Sequence, residues 1–162
     1  MTNNEPKSTP AGTQIDETQR LLQERLKIEG QIKGGASWFF WIAGLSIINT
    51  IIFLAGAQWS FIIGLGVTQL VAGVASEAGS SAKIVAFIVT LIFAGIFVFF
   101  GIFSGKRHNW AFIVGMILYA LDGLLFLLVP DWLSIGFHVF ALFCIFAGLR
   151  ANFKLKRLAP VP

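Results

Sequence analysis

The chain has 162 residues, of which 56% are hydrophobic and only 12% are charged. An average soluble domain has about 25% charged residues, so this composition excludes an ordinary soluble globular domain, and the length allows a single domain. The formal net charge of +4 would suit a nucleic-acid-binding protein, but the basic residues gather beside long apolar runs, which favours a membrane protein and no nucleic-acid partner.

The amino-terminal region is polar, and its early acidic residues argue against a cleaved secretory signal. Residues 1–12 are rich in Asn, Thr, Pro and Ser, which is typical of disorder. Residues 13–35 have the pattern of a cytoplasmic amphipathic helix that begins at a Thr13 cap and ends at Gly34 and Gly35. Its acidic and basic side chains balance, which favours contact with its own bundle, a sister subunit or another protein; a solvated helix is the alternative.

Four apolar runs have lengths close to the about 20 residues that a transmembrane helix needs. None of them contains Lys, Arg or Glu. They are apolar on all sides, unlike the amphipathic helices of soluble proteins. We therefore predict an all-α integral membrane protein, with a four-transmembrane-helix bundle in residues 36–150 and a basic cytoplasmic tail in residues 151–162. The predicted spans are residues 36–57, 84–105, 110–129 and 132–149.

Residues 58–75, between the first two spans, are also apolar, but they are too short for a hydrocarbon core of about 30 Å. Gly64, Gly66 and Gly73 further weaken this segment as an isolated helix. A fifth span would also place the basic tail on the opposite side from the amino terminus. We therefore predict an external re-entrant or interfacial segment.

The basic residues are distributed unequally between the two sides of this topology. With a cytoplasmic amino terminus, Lys83 is the only one of the 12 Lys and Arg residues that lies outside. By the positive-inside rule, this predicts a multi-pass protein of a bacterial cytoplasmic (inner) membrane with both termini in the cytoplasm. Tryptophans at or near the span ends are typical of anchors at the headgroup level, and they are Trp38, Trp41, Trp59, Trp110 and Trp132.

Each predicted span contains one polar side chain at a similar depth, and these are Asn49, Thr90, Asp122 and His138. At about 1.5 Å per residue, all four lie roughly 9–12 Å below the external boundary, so we predict one polar layer. Tyr119 precedes Asp122 by three residues and is a candidate neighbour on the same helix face. Two interpretations stay open: interhelical hydrogen bonds that fix the packing, or a functional site that justifies a costly intramembrane carboxylate.

Other features bear on partners and chemistry. Gly101 and Gly105 form a GxxxG pair in the second span, which indicates close packing against another helix or a second copy. Cys144 is the single cysteine, so no intrachain disulfide forms, and we expect no metal or cofactor. The sequence has no phosphate-binding loop and no hydrolase or metalloprotease motif, and we predict neither catalytic residues nor an enzyme.

Three functions are compatible with this pattern. The first is an accessory, assembly or interaction subunit of a membrane complex, which contacts the bilayer and a protein partner or a second copy through the amphipathic helix and the second span. The alternative is a small oligomeric transporter or channel that uses Asp122 and His138. A third is a lipid or quinone site beside Trp59 or Tyr119.

Overall fold

The computed structural model describes residues 11–56, 64–127 and 131–158, and all the regular structure in these ranges is helical. The helices are α1 (Ala11–Leu54), α2 (Gly66–Glu77), α3 (Ser80–Gly105), α4 (Asn109–Leu124) and α5 (Trp132–Arg157), with a 3-10 turn at Leu125–Leu127. Residues 1–10, 57–63, 128–130 and 159–162 lie outside the described residues, and they include Trp59, most of the predicted disordered segment and the end of the predicted tail.

Four helices are long and apolar enough to cross a membrane: α1, α3, α4 with its 3-10 extension, and α5. Their outward faces expose many large apolar side chains, including Ile92 on α3 and Phe143 on α5. Such side chains are costly in water and favourable in lipid. Both observations support a multi-pass membrane protein and confirm the prediction of an all-helical chain with four long apolar helices.

Residues 13–35, predicted as an amphipathic helix, and the predicted first span belong to one continuous helix, α1, of 44 residues and about 66 Å. It already includes Ala11, two residues before the predicted Thr13 start, and it passes without a break through Gly34 and Gly35, where the sequence predicts an end. A Cβ added to Gly35 would lie 2.6 Å from the Cα of Gly148 on α5. Gly35 therefore allows two helix backbones to approach closely, rather than acting as a stop signal.

The amino-terminal part of α1 packs on its own bundle. Ile28 and Ile32 are buried in the same apolar cluster as Ala151 and Leu155 of α5. This contact is possible because α5 continues as a helix through Arg157, so much of the predicted tail is helical. Lys154 of α5 also donates to Glu24 of α1 over 2.7 Å. The amino-terminal part of α1 therefore contacts its own bundle, which is one of the three surfaces that its balanced charge predicts.

The turn after α3 forms hydrogen bonds with both α1 and α5. Arg107 has a left-handed backbone with φ of 69°, and its N–H donates to the Ser104 carbonyl over 2.9 Å, as in a helix-ending Schellman motif. Its guanidinium donates to Glu29 of α1 over 2.7 Å. Its carbonyl accepts from the Asn152 amide of α5 over 2.9 Å. These contacts fix the polar end of the bundle at the turn that carries Lys106 and Arg107.

The described part of the predicted re-entrant or interfacial segment, residues 64–75, includes most of α2, which ends two residues later at Glu77. This helix has 12 residues, about 18 Å, and is too short to cross a hydrocarbon core of about 30 Å. Its amino terminus lies beside Asp122 of α4, inside the bundle, and its carboxyl terminus leads through Gly79 into α3. Gly79 has φ of 95°, a backbone conformation that favours glycine, and so permits the tight connection.

Helix α5 begins with a capped first turn. Asp131 Oδ1 accepts from the backbone amides of Leu133 and Ser134 over 3.1 and 3.3 Å, and the Ser134 hydroxyl donates to Oδ2 over 2.5 Å. The hydroxyl bond, supported by the two amide bonds, holds the pKa of Asp131 below its ordinary value. The cap therefore stabilises α5 at neutral pH.

We expect Asp131→Ala to lower the free energy of unfolding by about 1 kcal/mol, a typical loss for an N-cap. Because the folded pKa of Asp131 is lowered, the cap contributes fully above the ordinary aspartate value of about 4 and is lost as the pH falls through the lower folded value. Unfolding in detergent at neutral and at acid pH measures this. Asp131→Asn, which keeps a capping oxygen, is the control, and an unchanged stability of Asp131→Ala at neutral pH would contradict the assignment.

Candidate functional site

The structure brings together Asp122 of α4 and His138 of α5, with 3.1 Å between Oδ2 and Nε2, and both side chains are buried. His138 Nδ1 lies 2.9 Å from the Ser134 carbonyl, which can only accept a hydrogen bond. Nδ1 therefore carries a hydrogen. The imidazole gives the buried carboxylate a polar partner, which offsets part of the cost of burying it.

Asp122 also holds the first turn of α2. Its Oδ2 accepts from the Gly66 amide over 2.7 Å, and its Oδ1 accepts from the Val67 amide over 2.9 Å. The residue before α2, Leu65, has no side chain that could cap the helix. A carboxylate is favourable here because the first amides of a helix lack partners and carry a partial positive charge. The cap thus comes from a helix 56 residues further along the chain.

Helix α1 also contacts the residues just before α2. The Ser46 hydroxyl accepts from the Leu65 amide over 2.8 Å and donates to the Ile42 carbonyl over 2.7 Å. Asn49, one turn further along, faces Gly64: a Cβ there would lie 2.9 Å from the Asn49 Nδ2. The backbone at Gly64 therefore passes close to the end of the Asn49 side chain, so the predicted layer residue Asn49 lies against the segment before α2.

Thr90 is also buried but has a different partner. Its hydroxyl lies 3.0 Å from that of Thr50 on α1. Thr50 could not be recognised from the sequence, because a threonine in an apolar helix is common and carries no distinguishing pattern. All four predicted residues are buried, Asp122 pairs with His138, and Thr90 pairs with Thr50, while their common depth in a membrane stays a prediction.

Tyr119, the candidate neighbour, stacks on His138 with ring centroids 4.3 Å apart and planes 16° apart. It is fully buried, and its hydroxyl has no hydrogen-bond partner within the described ranges. Gly123, one turn further along α4, also lies against the imidazole, where an added Cβ would be 3.1 Å from His138 Cδ2. Tyr119 and Gly123 together hold the ring of His138 in position towards Asp122.

The two glycines of the second span behave differently. A Cβ added to Gly101 would lie 2.8 Å from the Phe40 ring of α1, so this glycine accommodates an aromatic side chain of the same chain. Gly105 has open space around it. Within this chain, therefore, only Gly101 of the two makes a close helix contact, and self-association through the second span stays a prediction.

The cluster of Asp122, His138 and Tyr119 caps the first turn of α2 and positions the His138 ring. Over residues 11–56, 64–127 and 131–158, no group of three metal-ligating side chains is found. In comparisons with known proteins, no family model, no curated protein and no solved structure matches the chain.

Proposed function

We propose that this protein is an accessory or assembly subunit of a membrane complex, which contacts a partner protein through the amino-terminal part of α1. The observation that carries the proposal is the exposure of three leucines beyond the apolar spans: Leu21 is 40% exposed, Leu22 46% and Leu26 69%. Docking on α5 buries Ile28 and Ile32 but leaves these leucines uncovered. Apolar side chains grouped on a charge-balanced helix favour a protein surface over water or anionic lipid.

The proposed topology has four spans, both termini in the cytoplasm of a bacterial cell and α2 as an external re-entrant helix. The distribution of Lys and Arg supports this orientation. The short α2 supports it as well, since its amino terminus lies at Asp122 within the bundle. In this topology the leucines of α1 and the basic turn after α3 lie on the same cytoplasmic side.

We expect Leu22→Ser/Leu26→Ser to weaken partner binding at least about tenfold, because each buried leucine contributes on the order of 1–2 kcal/mol. Native electrophoresis after mild detergent extraction, followed by co-purification, measures the loss. Gln19→Ser/Gln23→Ser changes two exposed polar residues with the same spacing and is the matched control. Complexes of unchanged size and composition in the leucine variant would contradict the proposal.

The alternative, a proton-coupled transporter, is favoured by the buried contact of Asp122 with His138 and by the neighbouring Tyr119 hydroxyl, which has no hydrogen-bond partner among the described residues. Asp122→Asn would then abolish pH-dependent flux in proteoliposomes while the protein still folds. Two backbone amides of α2 donate to Asp122, so the carboxylate already has a structural role as a helix cap. For this reason we prefer the accessory role.

A further inference from the structure

A groove of about 1030 Å³ lies between α1 and α5, beside the close contact of Gly35 and Gly148. Small residues form part of its floor, because Gly34 and Ala147 leave space between the two helices. Trp38 and Phe143 form apolar walls further along the spans. The groove is therefore a depression in the lipid-facing surface, and it is wide and apolar enough for an acyl chain.

One end of the same groove is cationic. Arg150, Lys154 and Arg157 line it, and their spacing of four and three residues places them on one face of α5. Lys154 pairs with Glu24, whereas neither arginine has a carboxylate partner in the described part of the chain. From Phe143 to Arg157 the helix rises about 21 Å, so an apolar section and a basic section follow each other along one surface.

We propose that this groove binds one anionic phospholipid, with its phosphate held by Arg150 and Arg157 and an acyl chain packed against Trp38 and Phe143. Arginine binds phosphate oxygens through two parallel N–H donors, and basic pockets between transmembrane helices suit anionic headgroups. A zwitterionic lipid is less suitable, because its headgroup cation would be repelled by the arginines. A free phosphate is also less suitable, because it would leave the apolar section of the groove unfilled. The site lies on the bundle itself and is independent of the proposed protein partner at Leu22 and Leu26.

The test uses the purified full-length chain in detergent, with phosphatidylglycerol, phosphatidylcholine or inorganic phosphate added at equal concentration. Native mass spectrometry counts bound lipid, and thermal unfolding reports stabilisation. We expect phosphatidylglycerol to bind at least about tenfold more tightly than phosphatidylcholine and to raise Tm, as ligands that bind the folded state do. Equal binding of both lipids would overturn the proposal, and so would a Tm shift that inorganic phosphate reproduces.

Variants locate the site. Arg150→Gln/Arg157→Gln should remove the preference for phosphatidylglycerol, whereas Lys156→Gln, whose side chain lines a different surface of α5, should retain it. Gly34→Leu fills the apolar section, where an added Cβ meets no atom within 4 Å, and should reduce lipid binding with the arginines intact. Retention of the full preference in the double arginine variant, or its loss in Lys156→Gln, would place the lipid elsewhere.

Discussion

Asp122→Ala is expected to destabilise the bundle by on the order of 3–5 kcal/mol, the usual cost of removing one partner from a buried pair. The substitution leaves the His138 Nε2 and the amides of Gly66 and Val67 without their acceptor. Asp122→Asn should cost less, because its single oxygen can still accept from one amide. The NH₂ group of the asparagine can donate to His138. However, it cannot accept a hydrogen bond, so one of the two backbone amides of α2 loses its acceptor.

The free energy of unfolding in mixed detergent micelles measures this effect. Thr90→Val is the matched control, since it removes a buried interhelical bond to Thr50 and should cost only about 0.6 kcal/mol. Protease cleavage near α2 should increase in Asp122→Ala, because the helix loses its cap. If Asp122→Ala costs no more than Thr90→Val, the carboxylate does not hold α2.

Gly35→Ala and Gly34→Ala should have opposite effects, although the two glycines are adjacent. Alanine stabilises an exposed helix position by about 1 kcal/mol relative to glycine, and the space around Gly34 is open. At Gly35 the added Cβ would meet the backbone of Gly148 at 2.6 Å, so α1 and α5 have to separate. We expect a loss at the upper end of the about 1–3 kcal/mol that overpacking costs.

The same unfolding assay compares the two alanine variants, and Gly148→Ala gives a second test from the other helix. An added Cβ at Gly148 would lie 2.8 Å from the Cα of Gly35, so this variant should behave like Gly35→Ala. Equal stabilisation at Gly34 and Gly35 would show that the helices do not cross at this point.

The four long helices could be predicted from the sequence because their length and apolar character are local properties. The continuity of α1 could not. Gly34 and Gly35 carry a local helix-stop signal, whereas the reason for Gly35 is a contact with Gly148, more than a hundred residues away. The helical continuation of α5 was missed because its basic residues suggested a tail, although Leu155 packs against α1.

Counting residues from the span ends predicts one depth for the four polar side chains, and the structure shows that all four are buried. The partners could not be predicted in the same way. Capping rules search the residues just before a helix, and the cap of α2 is Asp122 on another helix. A usable signal does exist: Gly64, Leu65 and Gly66 offer no local capping side chain, so the helix requires an acceptor from elsewhere. This contact explains why an aspartate suits position 122 better than an asparagine.

Cysteine labelling of intact and permeabilised cells tests the four-span topology most directly. Single cysteines replace Arg20, Lys83, Lys106 and Lys156 in a Cys144→Ser background, and a membrane-impermeant maleimide reports their side. With four spans and a non-crossing α2, position 83 should label in intact cells, and positions 20, 106 and 156 only after permeabilisation. Labelling of positions 106 and 156 from outside, with position 20 still protected, would show that the segment containing α2 crosses the membrane and would contradict the topology.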